Sequence, residues 1–234
     1  MGAPMHVKFI PEVHIERAAD ELLGAYGMKF GAVVNPPVPV EEILECHLGL
    51  SLDFDDLARR FEQPGVLGAI WVEDKDVLID QSLEPTEHPR QEGRYRFTVA
   101  HETGHWMLHR TQLIESRGAP LFNGKPEPSV VCRDTAQKPP IEQQADRFAG
   151  YLLMPKEMVK RQWAMLTGSV EPYVAEDEIK TLAGRFGLAE NDLPTVEIAK
   201  RMAAAFHVSG QAMQIRLIKL GLILTKKPPP SLFG

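Results

Sequence analysis

Apolar residues first recur at helical spacing in EVHIERAADELLGAY, where Ile15, Ala18, Leu22 and Tyr26 stand three or four apart. That interval predicts an amphipathic helix with one buried stripe. A proline-rich turn from Asn35 to Pro39 follows, and then a short helix from Val40 to about His47. Past Gly49 the period shortens to two. LSLDF, GAIWVED and DVLIDQS read as strands, the last two joined by a tight turn around Asp74 and Lys75. Helical spacing returns in RFTVAHETGHWMLHR, Arg96 to Arg110, and in PPIEQQADRFAGYLLMP, residues 139 to 155. In the second of these Ile141, Ala145, Phe148, Ala149 and Leu152 make one apolar face between breaking prolines. The stretch from Gly118 to Pro140 predicts a long loop interrupted by the small strand SVVC, placed to act as a lid.

Beyond Pro155 the pattern is helical to about Leu222, through KEMVKRQWAML, AEDEIKTLAGRFGL and a final pair parted by His207, Val208 and Ser209. Ser209 suits the N-cap of the last helix. That pair resembles a helix-turn-helix, with Gln211, Gln214, Arg216 and Lys219 placed to face a groove. Residues 156 to 222 nevertheless lack the basic clustering that phosphate contacts need, so a platform for a protein partner is the better reading. The tail TKKPPPSLFG reads as loose.

The helix at 96 to 110 is fit for a core except for its histidines at 101, 105 and 109. Residues four apart on a helix are offset by only about 40°, so His101 and His105 stand one above the other and can grip one ion. With Glu102 between them they form H-E-x-x-H, the pattern of zinc peptidases. In that chemistry the histidines bind and Glu102 is the catalytic base, taking a proton from water and passing it to the leaving amine. Phe97, Val99, Ala100, Trp106, Met107 and Leu108 supply apolar surface, and Gly104 leaves room beside the helix.

A catalytic zinc has three protein ligands, so a third is needed. Glu142 and Asp146 lie four apart beside the apolar face of the second helix, where two like charges repel unless something positive lies near. Glu142 is therefore expected as the third ligand, and Asp146 as the carboxylate that orients a histidine through its far ring nitrogen. A solvated acidic edge is the plainer alternative. His109 does not fall at the six-residue spacing of a further ligand histidine; it is expected to pack, to form a hydrogen bond, or to line the cleft. Tyr95, His88 and Arg133 are candidates for stabilising an oxyanion, without a spacing argument for any. Cys132, in SVVCRD, is expected to be a buried strand cysteine.

FTVAHETGHWMLH followed by IEQQADRFAGYLLMP resembles the ImmA/IrrE metallopeptidases, a gluzincin-type group of bacteria and mobile elements. Looser likeness runs from PPVPVEEILECHLGL to AAAFHVSGQAMQIRLIKLGLI, so it covers most of the chain. The stretch from 111 to 138 departs by its length. The resemblance implies cleavage of a partner, a repressor with a helix-turn-helix domain, which releases transcription under stress or during element transfer. Taken with the pattern above, it leads us to expect an α+β chain: a zincin-like core with a small sheet and the HExxH helix over 1–160, a helix-turn-helix-like helical part over 161–222, and a flexible tail over 223–234. The expected cofactor is Zn2+, with Mn2+ or another divalent ion as the alternative. The rival reading is a DNA- or protein-binding regulator, an antitoxin or toxin partner, whose metal centre is not catalytic.

Length and composition agree with these expectations. The 234 residues are 44% hydrophobic, enough for a sizeable core. A net charge of −6 argues against general electrostatic binding of nucleic acid. Two cysteines, Cys46 and Cys132, are too few for a disulfide framework. With no signal-peptide pattern and no apolar run of about 18 residues, a cytoplasmic location without membrane association is expected.

Overall fold

The computed structural model describes residues 8–116, 128–133, 138–187 and 193–227. Most of the expected lid, and the tail from 228 onward, lie outside the described residues. The chain divides into two compact units, one of residues 1–34 and 38–153, the other of 35–37 and 154–234.

The first unit begins with α1 (Glu12–Phe30), which buries Ile15, Ala19, Leu22 and Tyr26. Ala19 takes the place expected for Ala18 for a geometric reason. Measured from Ile15, Leu22 and Tyr26 stand at about −20° and 20°; Ala19 stands at about 40° and Ala18 at about −60°, outside the stripe. A short α2 (Val40–Glu42) runs on as a π-helical turn, Ile43–His47. Tyr26 donates to Glu42 at 2.6 Å and ties the two segments together.

Four strands form one sheet in the order β1-β3-β2-β4. β1 (Ser51–Asp55) leads through α3 (Leu57–Arg60) to the hairpin of β2 (Val66–Trp71) and β3 (Asp76–Asp80), with β1 parallel to β3. The hairpin turn contains Lys75 at φ 58°, which confirms the tight turn read there. β4 (Val130–Arg133), the expected SVVC strand, pairs antiparallel with β2, and the register shifts between Val66 and Gly68. Asp80 accepts from the backbone of Leu57 at 3.0 Å and so anchors α3 to β3.

Two helices complete this unit. α4 (Glu92–Ser116) turns an unusual face inward, because Thr98, His101, Glu102, Thr103, His105 and His109 are all buried. α5 (Pro140–Leu153) buries the expected Ile141, Ala145, Phe148, Ala149 and Leu152. At Gly104 an added Cβ would come within 3.2 Å of the Ala145 backbone, so the helices approach as closely as the missing side chain allows. The apolar face of α5 supplies the driving force for this packing. Its acidic positions are thereby carried onto the polar face of α4.

The second unit holds α6 (Lys156–Thr167), α7 (Glu176–Phe186), α8 (Glu197–Phe206) and α9 (Gly210–Lys219), with a two-stranded parallel pair, β5 (Tyr173–Val174) and β6 (Ile223–Leu224). Ser209 caps α9 as expected, accepting from Ala212 at 3.1 Å. Two of the four residues read as facing a groove are instead internal. Gln214 is 2% exposed and bonds to the backbone of Val196 and Pro194; Arg216 is 4% exposed and donates to the Met154 carbonyl at 3.0 Å. The spacing identified a helix, but which of its polar residues brace the preceding turns depends on contacts distant in sequence. Among the described residues no helix is long and apolar enough to cross a membrane.

Candidate metal centre

α4 brings His101, His105 and His109 into a column against α5, each with no solvent exposure. His101 Nε2 lies 3.0 Å from His105 Nε2. Glu142, from the first turn of α5, places Oε2 at 3.1 Å from the former and Oε1 at 3.3 Å from the latter. Ligand atoms of His101, His105 and Glu142 thus all lie within 4.8 Å of one another.

The protons of this cluster can be traced from its outer edge. Asp146 Oδ1 is 2.9 Å from His101 Nδ1, and a carboxylate is the natural acceptor for that N–H. Lys138 in turn donates to both Asp146 oxygens, at 3.0 and 2.8 Å. Nε2 of His101 is then left as a lone pair. On the other side the Lys8 carbonyl accepts from Gln144 Nε2 at 3.2 Å, which fixes the amide so that Oε1 accepts from His109 Nε2 at 3.1 Å. His109 Nδ1 must therefore be the acceptor in its 3.2 Å contact with His105 Nδ1. Nε2 of His105 is a lone pair as well. With both rings neutral, two imidazole lone pairs and a carboxylate face one point with no hydrogen among them, and a single divalent cation would satisfy all of them. The residues present fit such an ion.

Where no cation is bound, the electrostatics place a proton on His101 instead, between it and Glu142. Burial pushes His105 down to about 4, keeping it neutral. For His101, burial opposes the positive charge, yet Cys132, Asp146 and Glu142 outweigh it and hold the ring well above its ordinary value. Burial likewise opposes the charge on Glu142, but the two histidines hold its carboxyl far below the usual range. The pocket as a whole favours positive charge at its centre.

Glu102 faces the other way, toward β2. It is fully buried, neither carboxylate oxygen has a hydrogen-bond partner among the described residues, and burial pushes it up to about 8. The space it occupies exists because residue 68 is glycine. A Cβ there would stand 2.5 Å from Glu102 Oε1 and 2.8 Å from Thr98 Cγ2.

The structure therefore gathers His101, Glu102, His105, Glu142 and Asp146 in one place. His109 is gathered too, but fully buried behind His105 rather than on a cleft wall. Tyr95 is buried and stacked on Phe54 at 5.7 Å, while His88 is exposed. The Arg133 side chain lies outside the described residues. Sequence reasoning missed Gly68, Lys138 and Gln144. An isolated glycine in a strand is a recognised sign of close backbone approach and could have flagged the first. Nothing in the sequence pattern separates the other two from ordinary polar residues.

The chain was also compared with known proteins. Residues 86–217, more than half of the chain, match the family model Peptidase_M78, described as the IrrE N-terminal-like domain. No curated protein matches. Among solved structures the chain is similar to one described as a Mycobacterium tuberculosis transcriptional regulator, at 13% identity and a TM-score of 0.43, over 88% of this chain and 46% of that one. This chain thus spans less than half of that protein's length.

Proposed function

We propose, from the premise that the chain belongs to the Peptidase_M78 family of IrrE N-terminal-like domains, that it is a zinc-dependent endopeptidase. Its substrate is a specific partner protein, a helix-turn-helix repressor in the cytoplasm, whose cleavage derepresses genes in a stress response or a mobile element. The family is one of metallopeptidases, and its α+β, zincin-like fold is the one described above. The observation that carries the reading is Glu102, a buried carboxylate with no hydrogen-bond partner among the described residues and an oxygen within 4.8 Å of a ring nitrogen of His101, one of three converging donors.

His101, His105 and Glu142 would hold the ion, and zinc bound there would supply Lewis-acid polarisation of the scissile carbonyl and of water. Glu102 takes a proton from the attacking water and later delivers it to the leaving amine; burial raises its pKa and so strengthens it as a base. Asp146, backed by Lys138, keeps His101 turned inward, and Gln144 does the same for His105 through His109. β4 forms one edge of the four-stranded order and offers an extended peptide a strand to pair with. The helical second unit recognises the partner.

These orienting contacts predict a graded effect. Asp146→Asn and Gln144→Ala should each weaken zinc binding by about 10- to 100-fold, as loss of contacts behind metal ligands does, measured by competition with a chelating dye. Gln144→Glu should restore part of the affinity, because its carboxylate can still accept from His109.

Co-expression with candidate helix-turn-helix repressors, first any encoded beside this gene, tests the function, with each repressor followed by intact-mass spectrometry. The cognate repressor should be cut at one or a few sites within an extended linker, while casein should be cut poorly. Relief of repression with the repressor intact would replace cleavage by sequestration.

A further inference from the structure

The proposed reaction makes no use of Cys132, yet this residue adjoins its centre. The thiol is buried on β4. Its Sγ, a ring nitrogen of His101 and a carboxylate oxygen of Glu102 all lie within 4.8 Å of one another. The Glu102 oxygens have no hydrogen-bond partner among the described residues, so this triangle combines a sulfur with a buried acceptor that nothing satisfies. Its donor set differs in kind from that of His101, His105 and Glu142. Nitrogen and oxygen alone suit zinc and harder divalent ions, whereas a sulfur donor shifts preference to soft ones.

We propose that His101, Glu102 and Cys132 form a second cation position, selective for a thiol-seeking divalent ion such as cadmium, whose occupancy excludes an ion from the first. His101 belongs to both sets; Asp146 holds its Nδ1 at 2.9 Å, which leaves Nε2 as the nitrogen free to bind an ion in either. An ion at the second position removes a ligand from the first. Binding replaces the S–H bond with a sulfur–metal bond and releases the proton to solvent, with no electron transferred. It also converts Glu102 from a proton carrier into a ligand. That last consequence rests on the peptidase reading; the position itself does not.

The test uses the full chain carrying Cys46→Ser, since Cys46 is the chain's only other thiol and is exposed. After treatment with a chelator the protein is titrated with cadmium chloride, with sulfur-to-cadmium charge-transfer absorption and bound metal followed together. The band should rise to saturation, persist in His105→Ala, and vanish in Cys132→Ser, which should still bind zinc. Prior saturation with zinc should suppress the band until zinc is released. The proposal is overturned if fully cadmium-loaded protein shows no band, or if His105→Ala abolishes it, which would assign the sulfur to the first set. It is overturned equally if zinc-saturated protein develops the band while keeping its zinc. The unvaried Cys132 chain and His105→Ala decide these outcomes even if Cys132→Ser misfolds. All readouts are of binding, so a failed cleavage assay would count against the peptidase reading alone.

Discussion

Alanine at His101, His105 or Glu142 is expected to strip nearly all bound divalent ion from the purified protein while leaving its helices in place. Each residue supplies one of three donors, and a three-donor site reduced to two loses most of its hold on zinc. The fold does not depend on that ion, because Val99, Ala145, Phe148 and Leu152 bury apolar surface around the site whether or not metal is bound. Elemental analysis should give about one equivalent per chain for the unsubstituted protein, and far-ultraviolet circular dichroism should be unchanged in the variants. Glu142→Ala is the most informative of the three, because its role rests on repulsion between two carboxylates rather than on a motif. Full metal occupancy in Glu142→Ala would remove it from the ligand set.

Gly68→Ala is expected to slow cleavage by nearly as much as loss of a general base, roughly a hundredfold, without releasing the metal. The new methyl group would meet the Glu102 carboxylate at 2.5 Å and Thr98 at 2.8 Å, closer than real Cβ contacts come. Glu102 is fully buried and has little room to retreat, so it must rotate or push β2 outward. In either case the base leaves its position, and the rate should fall nearly as far as when a general base is removed, by roughly a hundredfold. Zinc content should stay at its original value, because the atoms nearest to the new methyl group belong to Glu102 and Thr98 and not to the three ligands. Loss of metal in this variant would mean that β2 braces the whole centre rather than the base alone.

The parts of this molecule that could be read in advance are those that depend on neighbours in sequence. Ile141, Ala145, Phe148, Ala149 and Leu152 announced the buried face of α5, and the H-E-x-x-H spacing announced two adjacent imidazoles one helical turn apart. The pairing of β1 with β3, across the intervening α3 and β2, left no comparable trace. Neither did the choice of Gln144 over Gln143, since only the long-range contact to Lys8 decides which of the two amides is buried. Gln214 and Arg216 show the converse: polar residues on a plausible recognition helix are drawn inward because the turns they brace need hydrogen-bond partners. Glu102 belongs to both groups. Its motif gave the role proposed for it, but its isolation from every hydrogen-bond partner among the described residues, and the glycine that makes room for it, appear only in three dimensions.

The central claim is that Glu102 moves a proton in a cutting reaction, and Glu102→Gln tests it most directly. Glutamine keeps the size and most of the shape of the side chain but cannot act as a base. The unsubstituted protein and Glu102→Gln, matched for zinc content, should be incubated with the partner repressor, and the cleaved fraction should be followed over time by mass spectrometry. The account predicts equal binding of the repressor and a cleavage rate lower by about a hundredfold or more in the variant. Equal cleavage by both proteins, or equal relief of repression with the repressor intact, would contradict it.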